Sequence, residues 1–216
     1  MHRGRIALLL FALVLLVGGV LVGCVGPAVG TAEWHADQAY ELNNEGRYDE
    51  AIEECNRAIE LDPNLAVAYN NRGFAYISKG QYDLGIADCN KAIELDPNLA
   101  EAYNNRAWAY NEKGQYDLGI ADCNKAIELD PNRAEPYFNR AVAYGSKGQW
   151  DLAIADLSKA IELDPNLAVA YSNRAWAYKL QGKKAEAIAD FEKFITLTDN
   201  PQWIEEARQQ IGELSK

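Results

Sequence analysis

Histidine is almost absent from this sequence. The 216 residues contain only two, His2 and His35, so the chain offers neither a metal-ligand spacing nor a histidine partner for a serine or cysteine nucleophile. The glycine patterns of phosphate-binding loops are absent as well. These absences argue against an enzyme, and we expect neither a cofactor nor a metal site.

Positive charge is also scarce. The chain has 21 lysines and arginines against 32 aspartates and glutamates, which gives a formal net charge of −11. Because phosphate binding needs a basic stripe, we expect no nucleic-acid partner. The carboxylates recur with a fixed period, as in the pairs Glu60 with Asp62 and Glu94 with Asp96. This periodicity indicates a solvated face or turn chemistry rather than a catalytic pair.

What the chain does have is a repeat of 34 residues. Pro63, Pro97, Pro131 and Pro165 stand 34 positions apart, and self-similarity at this period predicts a stacked solenoid. A last stretch, residues 202–216, continues the pattern into one helix that we expect to cap the end of the array. The five copies occupy residues 32–65, 66–99, 100–133, 134–167 and 168–201.

Each copy is predicted to form two helices. Tyr69, Gly73 and Tyr76 recur at helical spacing on one stripe, and Gly80 follows where a left-handed residue would end the helix. Asp83 is predicted to cap the second helix. A single helical hairpin cannot bury both of its apolar stripes, so the copies must stack. The equivalent residues in the other copies are Gly46, Gly114, Gly148 and Gly182, and Asp49, Asp117 and Asp151.

At these positions the chain resembles the tetratricopeptide repeat (TPR) family. The resemblance implies an all-α fold, a right-handed superhelical solenoid of five antiparallel helix pairs, whose first helices line a concave groove that holds peptides or partner proteins. The first copy departs from the pattern at His35 and Leu42, and the last copy at Lys184 and Phe194. The residues that carry the resemblance are Tyr69, Gly73, Tyr76; Tyr103, Ala107, Tyr110; Tyr137, Ala141, Tyr144; Tyr171, Ala175, Tyr178; and the mid-repeat aromatics Tyr48, Tyr82, Tyr116 and Trp150.

The N-terminal segment, residues 1–23, resembles a bacterial lipoprotein signal peptide. Two arginines precede an apolar run at residues 6–22, and the sequence Leu-Val-Gly-Cys ends at Cys24. The resemblance implies cleavage before a lipid-modified Cys24, with residues 24–31 as a flexible tether. The alternative is an uncleaved anchor, because about 17 apolar residues lie at the short limit for a spanning helix. Both interpretations predict export and tethering to the bacterial cell membrane, in the cell envelope on its periplasmic or extracellular face.

Three cysteines occupy the same place in successive copies. Cys55, Cys89 and Cys123 lie on the inner stripe of the second helix. Equivalent points in neighbouring repeats are about 10 Å or more apart, beyond the roughly 7 Å between Cα atoms that a disulfide allows. We therefore predict buried free thiols that pack as small apolar side chains.

Helical phase places another set of residues on the concave side. If Tyr69, Gly73 and Tyr76 face the partner helix, residues about a quarter turn away line the groove. Aromatic side chains interleaved with amides are typical of an interaction surface, although the aromatics could instead fill space between adjacent first helices. Asparagine amides can donate to and accept from an extended peptide backbone. The predicted groove residues are Asn70, Asn71, Phe74, Ile77, Asn104, Asn105, Trp108, Asn111, Phe138, Asn139, Ser172, Asn173 and Trp176.

One arginine recurs in each copy after the first, and we predict that it joins neighbouring repeats. Helical phase directs it toward an acidic residue in the second helix of the preceding copy. Such pairs set register more than they add stability, because desolvation offsets most of the attraction. The alternative is a solvated arginine whose stem covers apolar surface. The predicted pairs are Arg72 with Glu54, Arg106 with Asp88, Arg140 with Asp122, Arg174 with Asp156, and Arg208 with Asp190.

The sequence thus predicts a membrane-anchored scaffold that binds a peptide or partner protein in the concave groove, within an envelope assembly. TPR domains that grip a C-terminal carboxylate use lysines and arginines on this face. Here those places hold Asn, Val, Glu and aromatic residues, so a peptide held by apolar and backbone contacts is favoured. The alternative is a regulatory or co-chaperone subunit of an envelope enzyme complex.

Overall fold

The described residues, 27–216 of the computed structural model, contain eleven α-helices and no β-strand. Ten of the helices form five antiparallel pairs, and one further helix follows the last pair. Within each pair the first helix has 13 residues and the second has 14. The helices are α1 (Ala32–Asn44), α2 (Tyr48–Leu61), α3 (Ala66–Ser78), α4 (Tyr82–Leu95), α5 (Ala100–Glu112), α6 (Tyr116–Leu129), α7 (Ala134–Ser146), α8 (Trp150–Leu163), α9 (Ala168–Leu180), α10 (Lys184–Leu197) and α11 (Pro201–Leu214).

A left-handed glycine ends each first helix, as predicted. At the end of α3, Gly80 has a φ of 74°, a conformation that glycine adopts at little cost. The N–H of Gly80 donates to the carbonyl of Ile77, and the N–H of Gln81 donates to that of Tyr76. These bonds satisfy carbonyls that the helix end leaves without partners. The equivalent glycines Gly46, Gly114, Gly148 and Gly182 have φ values of 75°, 72°, 73° and 74°.

The prediction that an aspartate caps each second helix is wrong. Helix α4 begins at Tyr82, and its capping position is occupied by Gln81, whose side chain makes no capping bond. Asp83 lies instead in the first turn, where the helix dipole favours negative charge, and accepts a hydrogen bond from Lys113 of the next repeat. The same correction holds for Asp49, Asp117 and Asp151, which accept from Lys79, Lys147 and Gln181.

The core is built from small side chains, and this determines how closely the helices approach. Ala68 and Ala75 of α3 and Ala102 and Ala109 of α5 are fully buried. Helices α1, α3 and α5 each pack closely against the next first helix, whereas consecutive second helices make almost no contact. The stack therefore curves, with the first helices on its concave side.

Glycine replaces alanine in two second helices where a first-helix side chain needs room. A Cβ added to Gly85 would lie 2.4 Å from Cγ1 of Ile77, and one added to Gly119 would lie 2.1 Å from Oδ1 of Asn111. Ile77 is 1% exposed and packs between α3, α4 and α5. Its predicted place in the groove is therefore wrong, because Gly85 gives its side chain a buried site.

Helix α11 covers the end of the last repeat. Asn200 caps it by accepting from the N–H groups of Gln202 and Trp203, and the following proline suits the first helical position. Ala207 and Leu214 of α11 are buried in one cluster with Phe191 and Phe194 of α10. Without this helix those two aromatic side chains would face water.

Candidate functional site

Asparagine side chains join neighbouring first helices along the concave face. The Nδ2 group of Asn105 donates to Oδ1 of Asn70 at 2.9 Å, and that of Asn139 donates to Oδ1 of Asn104 at 2.9 Å. Each bond links a first helix to the one in the preceding repeat. We call these four residues the amide chain.

A second set of asparagine side chains donates hydrogen bonds to backbone carbonyls of neighbouring first helices. Asn43 donates to the carbonyl of Asn71 at 2.9 Å, and Asn111 donates to that of Asn139 at 2.8 Å. Asn71 itself donates back to the carbonyl of Ala36 at 3.0 Å. Asn111 is 6% exposed, and its donor is used inside the scaffold. Asn71 and Asn105, which are 5% and 7% exposed, also use their donors within the scaffold. The predicted role of these three asparagines in an open groove is therefore wrong.

A polar cavity of about 200 Å³ opens on the concave face across the first four repeats. Asn70 and Asn104 line it, and their Oδ1 atoms are already occupied by the amide chain. Because Oδ1 accepts, the orientation of each amide is fixed, and its Nδ2 group has no acceptor among the residues that the structure describes. The other lining residues include Tyr40, Asn43, Asn71, Phe74, Asn105, Glu101, Arg133 and Glu135.

The four aromatic residues of the predicted row do not form one continuous exposed surface. The rings of Phe74 and Trp108 lie 5.8 Å apart, so this pair fills the space between α3 and α5, which was the alternative interpretation. Phe138 packs against the buried residues between α7 and α8. Trp176 contacts Phe191 edge-to-face at 5.7 Å. Of the four, Phe74 and Trp176 also line cavities on the concave face.

Two further cavities lie at the C-terminal end of the groove. One, of about 270 Å³, is bordered by α7, α8 and α9, is open to solvent, and includes Gly145 and Trp150. The other, of about 180 Å³, lies between α9, α10 and α11 and includes Ser172 and Trp203. Asn173 and Trp176 border both. Sequence reasoning missed Tyr40, Asn43, Trp150 and Trp203 as groove residues.

The repeats match known protein-family models over most of the chain. Models described as "Tetratricopeptide repeat" match residues 66–99, 100–133, 134–167 and 157–189, and a "TPR repeat" model matches residues 39–80. The chain belongs to the tetratricopeptide repeat family. The fold expected from the sequence is thereby confirmed.

Other TPR proteins share this architecture at low sequence identity. The crystal structure of TTC0263, a thermophilic TPR protein from Thermus thermophilus, is 20% identical, with a TM-score of 0.70 over 85% of this chain and 98% of that one. YrrB is 22% identical, with a TM-score of 0.60 over 82% and 92%. A protein SGT1 homolog from Oryza sativa subsp. japonica is 47% identical over 47 residues, which are 22% of this chain and 13% of the relative. The match thus spans a small part of that relative.

The repeated arginine of this TPR protein pairs with the acid of its own repeat. Arg106 donates through Nε and Nη2 to both carboxylate oxygens of Asp122, each at 2.7 Å, and these bonds raise the pKa of Arg106. Its Nη1 donates to Oδ1 of Asn90 in the preceding repeat at 2.6 Å. The predicted pairing with Asp88 is wrong, because the preceding second helix presents a neutral amide to the guanidinium. The observed pairs are Arg72 with Asp88, Arg106 with Asp122, Arg140 with Asp156, and Arg174 with Asp190.

The remaining predicted pairs are also absent from the structure. Arg140 bonds to Asn124, and Arg174 to Ser158, in the preceding repeats, so the predicted pairs Arg140 with Asp122 and Arg174 with Asp156 are wrong. Glu54, predicted to bind Arg72, contacts His35 at 2.5 Å and Arg57. Asp190, predicted to bind Arg208, accepts from Arg174 instead, and Arg208 lies exposed on α11.

The cysteine prediction is confirmed. Cys55, Cys89 and Cys123 are free thiols and are fully buried. Burial raises the pKa of all three to about 12. Because the thiolate is the reactive form, these side chains serve packing and are inert in the folded protein.

Within residues 27–216, no three His, Cys, Asp or Glu side chains are grouped to hold a metal ion. No helix in the same range is long and apolar enough to span a bilayer. The predicted signal peptide and the lipidation site at Cys24 lie outside the residues that the structure describes.

Proposed function

We propose that this TPR protein is a membrane-anchored scaffold of the cell envelope that binds an extended peptide segment of a partner protein in its concave groove. The observation that carries the proposal is the pair of amide Nδ2 groups of Asn70 and Asn104 in the polar cavity. The Oδ1 atom of each amide accepts a hydrogen bond from the next repeat, which fixes the orientation of the side chain. Neither Nδ2 group has an acceptor among the described residues. Asn70 is 7% exposed, so its amide lies in the wall of the cavity, and a fixed amide donor in such a wall is suited to a backbone carbonyl.

The spacing of the two donors suits an extended chain. Packed helices lie about 8–10 Å apart, and an extended chain advances about 3.3–3.6 Å per residue. Asn70 and Asn104 occupy equivalent places on α3 and α5, so they fit carbonyls about three residues apart. Phe74 and the exposed ring of Tyr40 supply apolar contact beside them.

The sequence and one related structure support the two halves of the proposal. Residues 27–30 are exposed and precede α1, which suits a tether between Cys24 and the repeats. YrrB, which shares the fold, is described as a TPR protein with an unusual peptide-binding site. A peptide-binding site is therefore compatible with this architecture.

The binding half is tested with aspartate substitutions that keep the acceptor oxygen and remove the donors. The full-length protein is cross-linked in its own envelope, the captured protein is identified, and overlapping peptides of it are titrated by fluorescence anisotropy. The double variant Asn70→Asp, Asn104→Asp should weaken binding at least tenfold and keep its helical circular dichroism spectrum at the titration temperature, with a lower melting temperature because Asn70 is 7% exposed. The matched control, Asn98→Asp with Asn132→Asp, places the same charge on exposed turns and should bind like the wild type. Equal affinity of both variants would contradict the proposal.

The anchoring half is tested at Cys24. Metabolic labelling with a fatty acid should mark the wild-type protein, whereas the Cys24→Ala variant should remain unlabelled at precursor length. A wild-type chain that carries no label and migrates at full length would establish the uncleaved anchor instead.

A further inference from the structure

We infer that the C-terminal half of the groove holds an anchor site for one large apolar side chain of the bound peptide, with a lysine or arginine beside it. This inference rests on the proposed function, since it specifies which peptides the groove accepts. It follows from two departures from the repeat pattern that fall at the same interface, between α7 and α9.

The first departure interrupts the amide chain. The position of Asn70 and Asn104 is occupied in α7 by Phe138, which offers no acceptor to the next repeat. Asn173 therefore donates to the carbonyl of Val169 in its own helix at 2.8 Å. The hydrogen bond that links α3 to α5 and α5 to α7 is missing between α7 and α9.

The second departure removes the other link. The position of Asn43 and Asn111, which donate to the next first helix, is occupied in α7 by Gly145. With both links absent, α7 and α9 contact each other less than the preceding first helices do. The interface opens to the cavity of about 270 Å³.

The size and walls of this cavity fit a single apolar side chain. Sites for small molecules occupy about 300–1,000 Å³, and this cavity is smaller. Its walls include Val142, Trp150, Leu157 and Trp176. A Cβ at Gly145 would lie 3.4 Å from Cζ3 of Trp150, so the glycine leaves the indole ring uncovered. A peptide side chain buried against these walls would be an anchor of the kind that dominates the affinity of protein interfaces.

Charge at the neighbouring cavity indicates what flanks the anchor. Glu206 lines the cavity of about 180 Å³ that shares Trp176, and it has no ion pair within residues 27–216. Lys179, the nearby cation, is already bonded to Gln210 and Glu213. The chain as a whole carries −11. A positively charged residue next to the anchor would therefore meet an uncompensated carboxylate.

The probe is a library of random 12-residue peptides displayed on phage and selected on the full-length protein in lipid nanodiscs, with empty discs as the blank. We expect the selected peptides to share a Trp, Phe, Leu, Ile or Met with a Lys or Arg within about three residues. Alanine at the shared apolar position should weaken binding at least tenfold in fluorescence anisotropy. The Glu206→Gln variant should weaken binding of the basic peptides and leave that of their Lys→Gln forms unchanged.

The decisive variant restores the repeat pattern and fills the cavity. Phe138→Asn gives Asn173 its acceptor, and Gly145→Asn supplies the donor that Asn111 provides one repeat earlier. Asn43 and Ala51 occupy the equivalent positions of the first repeat and are both buried, so an asparagine and an alanine are accommodated together there, as they would be with Ala153. The double variant loses the packing of Phe138 on the core between α7 and α8, so its melting temperature should fall modestly; it should keep its helical circular dichroism spectrum and bind the selected peptides at least tenfold more weakly. If the double variant melts at a lower temperature, the matched control is Gly85→Ala, which strains the buried Ile77 away from the anchor site and should bind the selected peptides to within about threefold of the wild type.

Two outcomes would overturn the inference and are distinguishable from each other. If the selected peptides bind the filled variant like the wild type but lose affinity for Asn70→Asp with Asn104→Asp, the anchor site is refuted and the proposed function stands. If no library peptide binds the wild type above the empty-disc blank, both are refuted.

Discussion

At the scale of single residues, the recurring arginine is the most heavily bonded side chain in each of the four repeats that follow the first. Arg106 makes two hydrogen bonds to Asp122 and one to Asn90, and its guanidinium lies 5.6 Å from the ring centre of Tyr103. It thus connects the two helices of its own repeat and touches the preceding repeat through a neutral partner. Because desolvation offsets much of the attraction, its main effect is to fix the relative placement of these helices.

A double-mutant cycle measures this pairing. Replacing Arg106 and Asp122 by alanine, singly and together, should give a coupling energy of about 1–3 kcal/mol in urea unfolding. The same cycle on Arg106 and Asp88 should be additive within about 0.5 kcal/mol. Larger coupling to Asp88 than to Asp122 would show that the ion pair crosses between repeats.

Thiol reactivity tests the burial of the cysteines. With a pKa of about 12, about one thiol in ten thousand is ionised at pH 8. In a Cys24→Ala background, maleimide labelling at pH 8 should therefore proceed only through unfolding, and its rate should rise with urea in step with the unfolded fraction. Rapid labelling of any of the three in native buffer would contradict the packing described.

The sequence was a good guide at this scale for residues whose role depends on backbone period, and a poor one for side-chain partners. Gly80 and Cys89 were predicted correctly because conformation and burial follow from helical spacing. The partner of Arg106 was not predicted correctly. Its long side chain lies between the second helices α4 and α6, and the sequence offers one carboxylate on each, Asp88 and Asp122. The choice between these two carboxylates depends on Asn90, because its amide, and not Asp88, faces the guanidinium on α4.

At the scale of helices, residue size at the paired positions sets how closely each helix pair packs. Ile77 is buried against Gly85, whereas Asn43 and Ala51 coexist in the first repeat. The 34-residue period predicts the helices and their order. It did not reveal that Ile77 turns inward, since that depends on the missing Cβ of Gly85 on another helix.

Alanine substitutions at the two second-helix glycines should differ in cost. Gly85→Ala should destabilise the protein by about 1–3 kcal/mol, because the branched Ile77 cannot move away from the new methyl group. Gly119→Ala should cost less, since Asn111 can adopt the arrangement seen at Asn43 and helical alanine gains up to about 1 kcal/mol over glycine. Urea unfolding of both variants gives the comparison, and a larger cost at Gly119 would be inconsistent with this account.

Helix α11 is expected to stabilise the whole array. A chain that ends at Asn200 exposes Phe191 and Phe194 and loses the burial of Ala207 and Leu214. We expect a loss of about 2–4 kcal/mol, or a fall in melting temperature of about 5–12 °C for a chain of this length, or aggregation. The control is a chain that ends at Leu214, which keeps the helix and should melt like the wild type.

At the scale of the whole molecule, two surfaces run the length of the solenoid. The concave face carries the amide chain and the three cavities. The outer face carries Leu84, Leu118 and Leu152, one per middle repeat and each about half exposed. The concave face was predicted from helical phase, but the interface between α7 and α9 was not, because its opening results from Phe138 and Gly145 acting together.

The most direct test of the central claim is where a peptide protects the protein from hydrogen exchange. The full-length protein in nanodiscs is exchanged with and without a saturating selected peptide, and side-chain amide and backbone protection are mapped by NMR and mass spectrometry. Our account predicts protection of α3, α5, α7 and α9 and a shift of the Asn70 and Asn104 side-chain amide signals. Protection confined to α4, α6 and α8, around Leu84, Leu118 and Leu152, would contradict it.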